Sequence, residues 1–79
     1  MNSESIFFPK ELDTTTNYAE RLNILEQYVP HLVQEIKKVA GMRLQRNKWI
    51  NKMKAYKNRM LVTELTFSLY KFDEGKNLV

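Results

Sequence analysis

The chemistry this chain could do is concentrated in "RLQRNKWINKMKAYKNR", residues 43 to 59, which holds seven Lys or Arg and no Asp or Glu. Cations at that density neutralise phosphates and release their condensed counterions, and Trp49 or Tyr56 among them could stack on bases. The candidate contacts to nucleic acid or another anionic partner are therefore Arg43, Arg46, Lys48, Lys52, Lys54, Lys57 and Arg59. Trp49, Met53 and Tyr56, however, fall at helical spacing, where aromatic residues more often face a core than a base. On that competing reading Arg43, Lys52, Lys57 and Arg59 flank a helix seam, lay their stems over it and pair with acids on a neighbouring helix, Lys57 with Glu26. An Asn on a helix in the major groove can read adenine, but Asn47, Asn51 and Asn58 read equally as ordinary exposed helix residues, and the stretch carries no helix-turn-helix signature.

Catalytic signals are weaker. His31 is the only His, there is no Cys, and no two carboxylates stand at i, i+3 or i, i+4 spacing on one predicted helix. Pattern thus places neither a metal site nor a general acid and base. Arg43, Arg46 and Lys48 could line a pocket for a dianionic substrate between helices, but nothing beside them would move a proton. The expectation is a protein that is not an enzyme, with no cofactor and no small-molecule substrate.

The net charge of +4 hides a segregation. Nine basic residues and no acid lie between Ile36 and Thr63, while the rest of the chain has four basic residues and all nine acids. Such a distribution calls for an anionic partner or for acidic flanks folded back on the basic middle. A chain of 79 residues makes one small domain, and a core that size rarely leaves more than about 3–5 kcal/mol of net stability, so self-association or a partner is expected. The absence of Cys fits a reducing compartment. "MNSESIFFPKELD" lacks a basic signal region, and no run approaches the roughly 20 apolar residues of a membrane span, which points to a soluble, intracellular protein with no membrane partner.

The elements that must position the basic stretch follow from spacing. Residues 1–16 show no helical period and read as an N-terminal arm, in which Phe7, Phe8 and Pro9 form a docking motif or, preferably, a lid on the core. Asn17 followed by Glu20 has the spacing of a capping box. From there Tyr18, Leu22, Leu25, Val29, Leu32, Ile36 and Val39 keep to one helical stripe, through Pro30; a kinked helix is favoured over a break into two. Lys37, Lys38 and Gly41 mark its end. Beyond the turn Met42, Trp49, Met53, Tyr56, Met60, Phe67 and Tyr70 form a second stripe. "LVTELTFSLYKF" continues it as helix, the competing reading being a strand over 61–72 paired with Ser5 to Phe8.

The expected fold is all-α: an antiparallel helical hairpin over 17–72, or three helices if the chain breaks at Pro30, followed by a tail at 73–79. Leu61, Leu65, Leu69 and Phe72 would form a further stripe that a two-helix monomer cannot cover, and so a protein interface to a partner or to a second copy in a homo-oligomer. The favoured function is a small helical interaction protein acting through that stripe as an assembly subunit, adaptor or inhibitor. The alternative is a dimeric nucleic-acid-binding or transcription-regulatory protein that uses residues 43–59.

Overall fold

A computed structural model describes residues 8–77. Among them the chain is all-α, with no strand: a 3-10 turn at Lys10–Thr14, then α1 (Tyr18–Tyr28), α2 (Pro30–Val39), α3 (Arg43–Met53) and α4 (Arg59–Asn77). Residues 61–72 are thus helix, and the proposed pairing with Ser5 to Phe8 falls largely outside the described residues. Phe7 lies outside them too, while Phe8 packs partly buried on the core and Pro9 is buried. No described helix is long and apolar enough to cross a membrane.

The count of four helices corrects the expected two or three, and each extra boundary has a local cause. At Pro30 the chain breaks rather than kinks. A residue before proline is disfavoured in helical geometry, and Val29 sits at φ −134°, ψ 64°. Pro30 becomes the first residue of α2, where its missing N–H costs nothing and the Val29 carbonyl accepts from Leu32 and Val33 at 3.1 and 3.2 Å. The second break, at residues 54–58, was not anticipated. Asn58 starts α4 as its cap: its Oδ1 accepts from the Leu61 amide at 3.1 Å and its carbonyl from the Val62 amide at 3.1 Å. The Arg59 guanidinium donates back to the carbonyls of Met53, Lys54 and Tyr56, at 3.4, 3.2 and 2.9 Å, satisfying groups that the end of α3 leaves open.

At the start of α1, Asn17 Oδ1 accepts from the amides of Ala19 and Glu20 at 2.9 and 3.2 Å. Glu20 does not complete the box, because the Asn17 amide donates instead to Thr15 Oγ1 at 3.1 Å. The turn at residues 40–42 follows expectation. Gly41 takes φ +82°, so the left-handed backbone selects glycine, and a Cβ there would rest against the Lys76 side chain of α4 at 3.2 Å.

α1, α2 and α4 pack on one another, and α3 lies against α2. Leu22 and Leu25 from α1, Val33 and Ile36 from α2, Leu65 and Leu69 from α4 are buried together, and Leu12 from the 3-10 turn closes one side at 0% exposure. The apolar stripes of α4 are the reverse of those expected. Leu61, Leu65 and Leu69 are 3%, 0% and 0% exposed and Phe72 is half-buried against the same core, so this chain covers them itself. Met60, Phe67 and Tyr70, expected in the hairpin seam, are 62%, 47% and 48% exposed. Helical phase carried from Trp49 through residues 54–58 loses its meaning once those residues leave the helix. The rotation of α4 is then set by its richer apolar side, not by continuity with α3.

Candidate functional site

The seven cations of residues 43–59 divide into two sets. Arg46 is used internally: its Nη1 donates to Asp73 Oδ2 at 2.8 Å, and the buried Asp73 also accepts from the Gly41 amide through Oδ1. One carboxylate thereby fixes α3 and the turn before it to α4. Lys76 strengthens the same joint by donating to the Lys37 carbonyl at 2.9 Å at the end of α2. Lys52 pairs with Glu35 of α2 at 3.1 Å, and Arg59 caps the end of α3. Glu26 pairs with Lys37 at 3.3 Å rather than with Lys57.

Arg43, Lys48 and Lys54 form the second set, with Lys57 in the following loop. All four are exposed, and none has a hydrogen-bond or ion-pair partner among the described residues. Arg43 and Lys48 lie on the outer side of α3, and Lys54, its C-cap, continues that side by one residue. At about 100° per residue, Trp49 and Met53 point one way and are 3% and 1% exposed. The opposite side carries Leu44, Asn47 and Asn51, flanked by Arg43 and Lys54 along one edge and by Lys48 along the other. Neither asparagine side chain has a partner among the described residues, and Leu44 is 64% exposed. Arg43 is the first residue of α3, which has no acid in its first turn and no side-chain cap. A cation there faces the positive end of the helix dipole, a local cost that its own fold does not offset.

Of the two aromatic residues in the stretch, Trp49 follows its helical spacing and Tyr56 does not. Trp49 belongs to the core, so it offers no stacking platform, and Tyr56 lies in the 54–58 loop at 41% exposure, outside α3. Tyr56 lines an open cleft of about 600 Å³ with Tyr28, Val29, Ala55, Lys57 and Leu61. At its rim Tyr28 Oη donates to Glu11 Oε2 at 2.5 Å, a bond that holds the Glu11 carboxyl below the ordinary range and the Tyr28 phenol above it. His31 is exposed and lines a separate shallow cleft with Glu35, Lys38 and Lys52. No group of three or more His, Cys, Asp or Glu among the described residues is placed to hold a metal ion.

Spacing alone missed Arg21, Asp73 and Glu64. Arg21 grips Glu64 through Nε and Nη2 at 2.7 and 2.8 Å, and its Nη1 donates to the carbonyls of Leu12 and Thr15 at 2.7 and 2.5 Å. The Glu64 hydrogen bonds push the Arg21 guanidinium further up from its already high range. The charge segregation, with its acidic flanks expected to fold back on the basic middle, hinted at Arg46–Asp73 but not at Arg21–Glu64, both of whose residues lie in the flanks. Compared with the models of known protein families, with curated proteins and with solved structures, the chain matches none of them.

Proposed function

We propose that the protein works by binding rather than by catalysis, and that its working surface is the outer side of α3, which contacts the phosphates of a nucleic acid. The observation that carries this reading is the division of the cations. Those at junctions between elements are consumed by the fold, while Arg43 and Lys48 on α3 and Lys54 at its C-cap stand on its outer side with no acid beside them. Charges on one side of a helix, unneeded by the fold and unfavourable at its N-terminus, are accounted for by an anionic partner. Polyphosphate backbones have the highest density of such charge.

The test is a titration of labelled DNA and RNA probes with the full chain between 50 and 200 mM salt. Three phosphate contacts predict that log K falls with log salt at a slope of about −3. Lys48→Glu combined with Lys54→Glu should abolish binding and leave the circular dichroism spectrum unchanged. Absence of binding to every probe at 50 mM salt would end the reading.

A second reading rests on α4. Met60, Phe67 and Tyr70 form an exposed apolar stripe about 15 Å long, and each side chain is close to half exposed or more. Such a stripe suits a helical protein surface, a second copy of this chain being the simplest occupant. This replaces Leu61, Leu65 and Leu69 as the candidate contacts for self-association. Light scattering at rising concentration tests it: a monomer at several hundred micromolar, unchanged by Phe67→Ser, would exclude it.

A further inference from the structure

The layout of the α3 face goes beyond a site for phosphates. It carries cations at both edges and amides between them, and we infer that this face reads base edges in the major groove of duplex DNA, with Asn47 and Asn51 as the reading residues. The inference rests on the proposal that α3 binds nucleic acid and adds which nucleic acid, which groove and which side chains. Lys48 on one side and Arg43 with Lys54 on the other are placed to reach the two phosphate walls of a groove. The centre of the face, which would meet its floor, holds two carboxamides and one aliphatic side chain.

Each of those three has a partner on a base-pair edge. A carboxamide pairs with adenine through both N6 and N7, and an exposed aliphatic group contacts the thymine methyl. Asn47 and Asn51 are four residues apart, so they lie on one line about 6 Å long, close to two base-pair steps. Their amides make no hydrogen bond to a described residue, and Leu44 is 64% exposed. These groups are available without any rearrangement of the fold.

The shape of the module selects duplex DNA among nucleic acids. α3 is the second of two helices joined by a turn at 40–42, and it packs on α2 by the side that holds Trp49 and Met53. A helix free on its opposite side, about 10–12 Å across, matches the roughly 12 Å width of the B-form major groove. The corresponding groove of A-form RNA is too narrow for a helix. Single strands are bound by stacking on exposed aromatic rings, and the one aromatic residue of α3 is buried. The Arg46–Asp73 pair and the Gly41 amide bonded to the same carboxylate hold α3 and its turn against α4, so the reading face is set before it meets DNA.

The experiment is selection from a pool of random duplexes by the full chain, followed by competition between the selected duplex, a scrambled duplex, single-stranded DNA and duplex RNA at one salt concentration. The expected result is a selected site with adenine–thymine pairs about two steps apart, bound roughly tenfold or more tightly than its scramble. Asn47→Ala with Asn51→Ala should erase that preference while leaving affinity for the scramble and the salt slope unchanged. Both positions are exposed and alanine favours helix, so this variant should fold, which the spectrum of buried Trp49 checks. Equal binding of selected duplex, scramble, single strand and RNA would overturn the inference and leave α3 as a phosphate binder. Tighter binding to polyglutamate than to any nucleic acid would overturn it in favour of an acidic protein partner. No binding to nucleic acid at all would remove both this inference and the reading it rests on.

Discussion

Arg21 and Arg43 carry the same guanidinium into opposite situations. Arg21 sits where the 3-10 turn, α1 and α4 meet, makes two hydrogen bonds to Glu64 and two to backbone carbonyls, and keeps only 20% of its side chain exposed. Arg43 sits on the outer side of α3, exposed, at the end of the helix where a cation is least welcome. The difference is one of position, not of residue type. A cation at a junction between elements has acids and carbonyls converging on it, whereas one on the free side of a peripheral helix has solvent or a partner. Basic residues of this chain can therefore be sorted into those that hold the fold and those left for function, and each class predicts its own response to mutation.

The largest effect belongs to the first class. Arg21→Ala leaves Glu64, whose side chain is 11% exposed, as an uncompensated charge and strips two carbonyls of their donor. Breaking one partner of a mostly buried pair costs about 3 kcal/mol or more. Set against the ~3–5 kcal/mol available to a domain of this size, that should bring the variant to the edge of unfolding at room temperature. Urea titration followed by Trp49 fluorescence measures it. A loss below about 1 kcal/mol, the value for an exposed pair, would mean that the junction does not hold these elements together and would dissolve the contrast with Arg43.

A smaller effect is expected at Asn58, where the fold departed most from its sequence reading. Asn58→Ala removes the side-chain acceptor for the Leu61 amide at a buried position and should cost at least about 1 kcal/mol, the usual value of an N-cap, while Asn58→Asp, which keeps the acceptor, should cost less. Thermal melts of the two variants check the difference. A loss equal in both would show that the cap is not what starts α4 at this point.

That cap also explains what could and could not be read from spacing. Asn17 was legible because it precedes the first apolar stripe and follows a segment with none, so a start signal and a pattern change coincide. Asn58 stands between two stretches that share a helical phase, and it lacks a Gly or Pro beside it, so the pattern ran straight through it. The error propagated to function. Carrying the phase onward put Leu61, Leu65 and Leu69 on the surface and Met60, Phe67 and Tyr70 inside, when the burial is the other way round. Pro30 favours a kink in the pattern for the same reason, since its stripe resumes in register after it. The basic stretch was legible as a composition, but its division was not: Asp73, twenty-seven residues after Arg46, becomes its partner only once α4 has turned back across α2 and α3. Pairing that depends on tertiary approach leaves no trace in local spacing.

The smallest change in stability is expected at Arg43, and it is the one that most sharpens the comparison because its sign is unusual. Arg43→Glu replaces a cation with an anion in the first turn of a helix that has no acid there. An anion at that end gains about 0.3–1 kcal/mol from the helix dipole, and no partner of Arg43 among the described residues is lost. The variant should therefore melt slightly higher than the parent chain, with the gain shrinking as salt screens the dipole. In the same variant, affinity for duplex DNA at 50 mM salt should fall about tenfold, because a phosphate contact has become a repulsion. Stability and binding moving in opposite directions from one exposed substitution is what a residue kept for a partner predicts. If the variant instead melts lower, Arg43 belongs with Arg21 among the cations that hold the fold; if it melts higher with affinity unchanged, the contact surface excludes the start of α3.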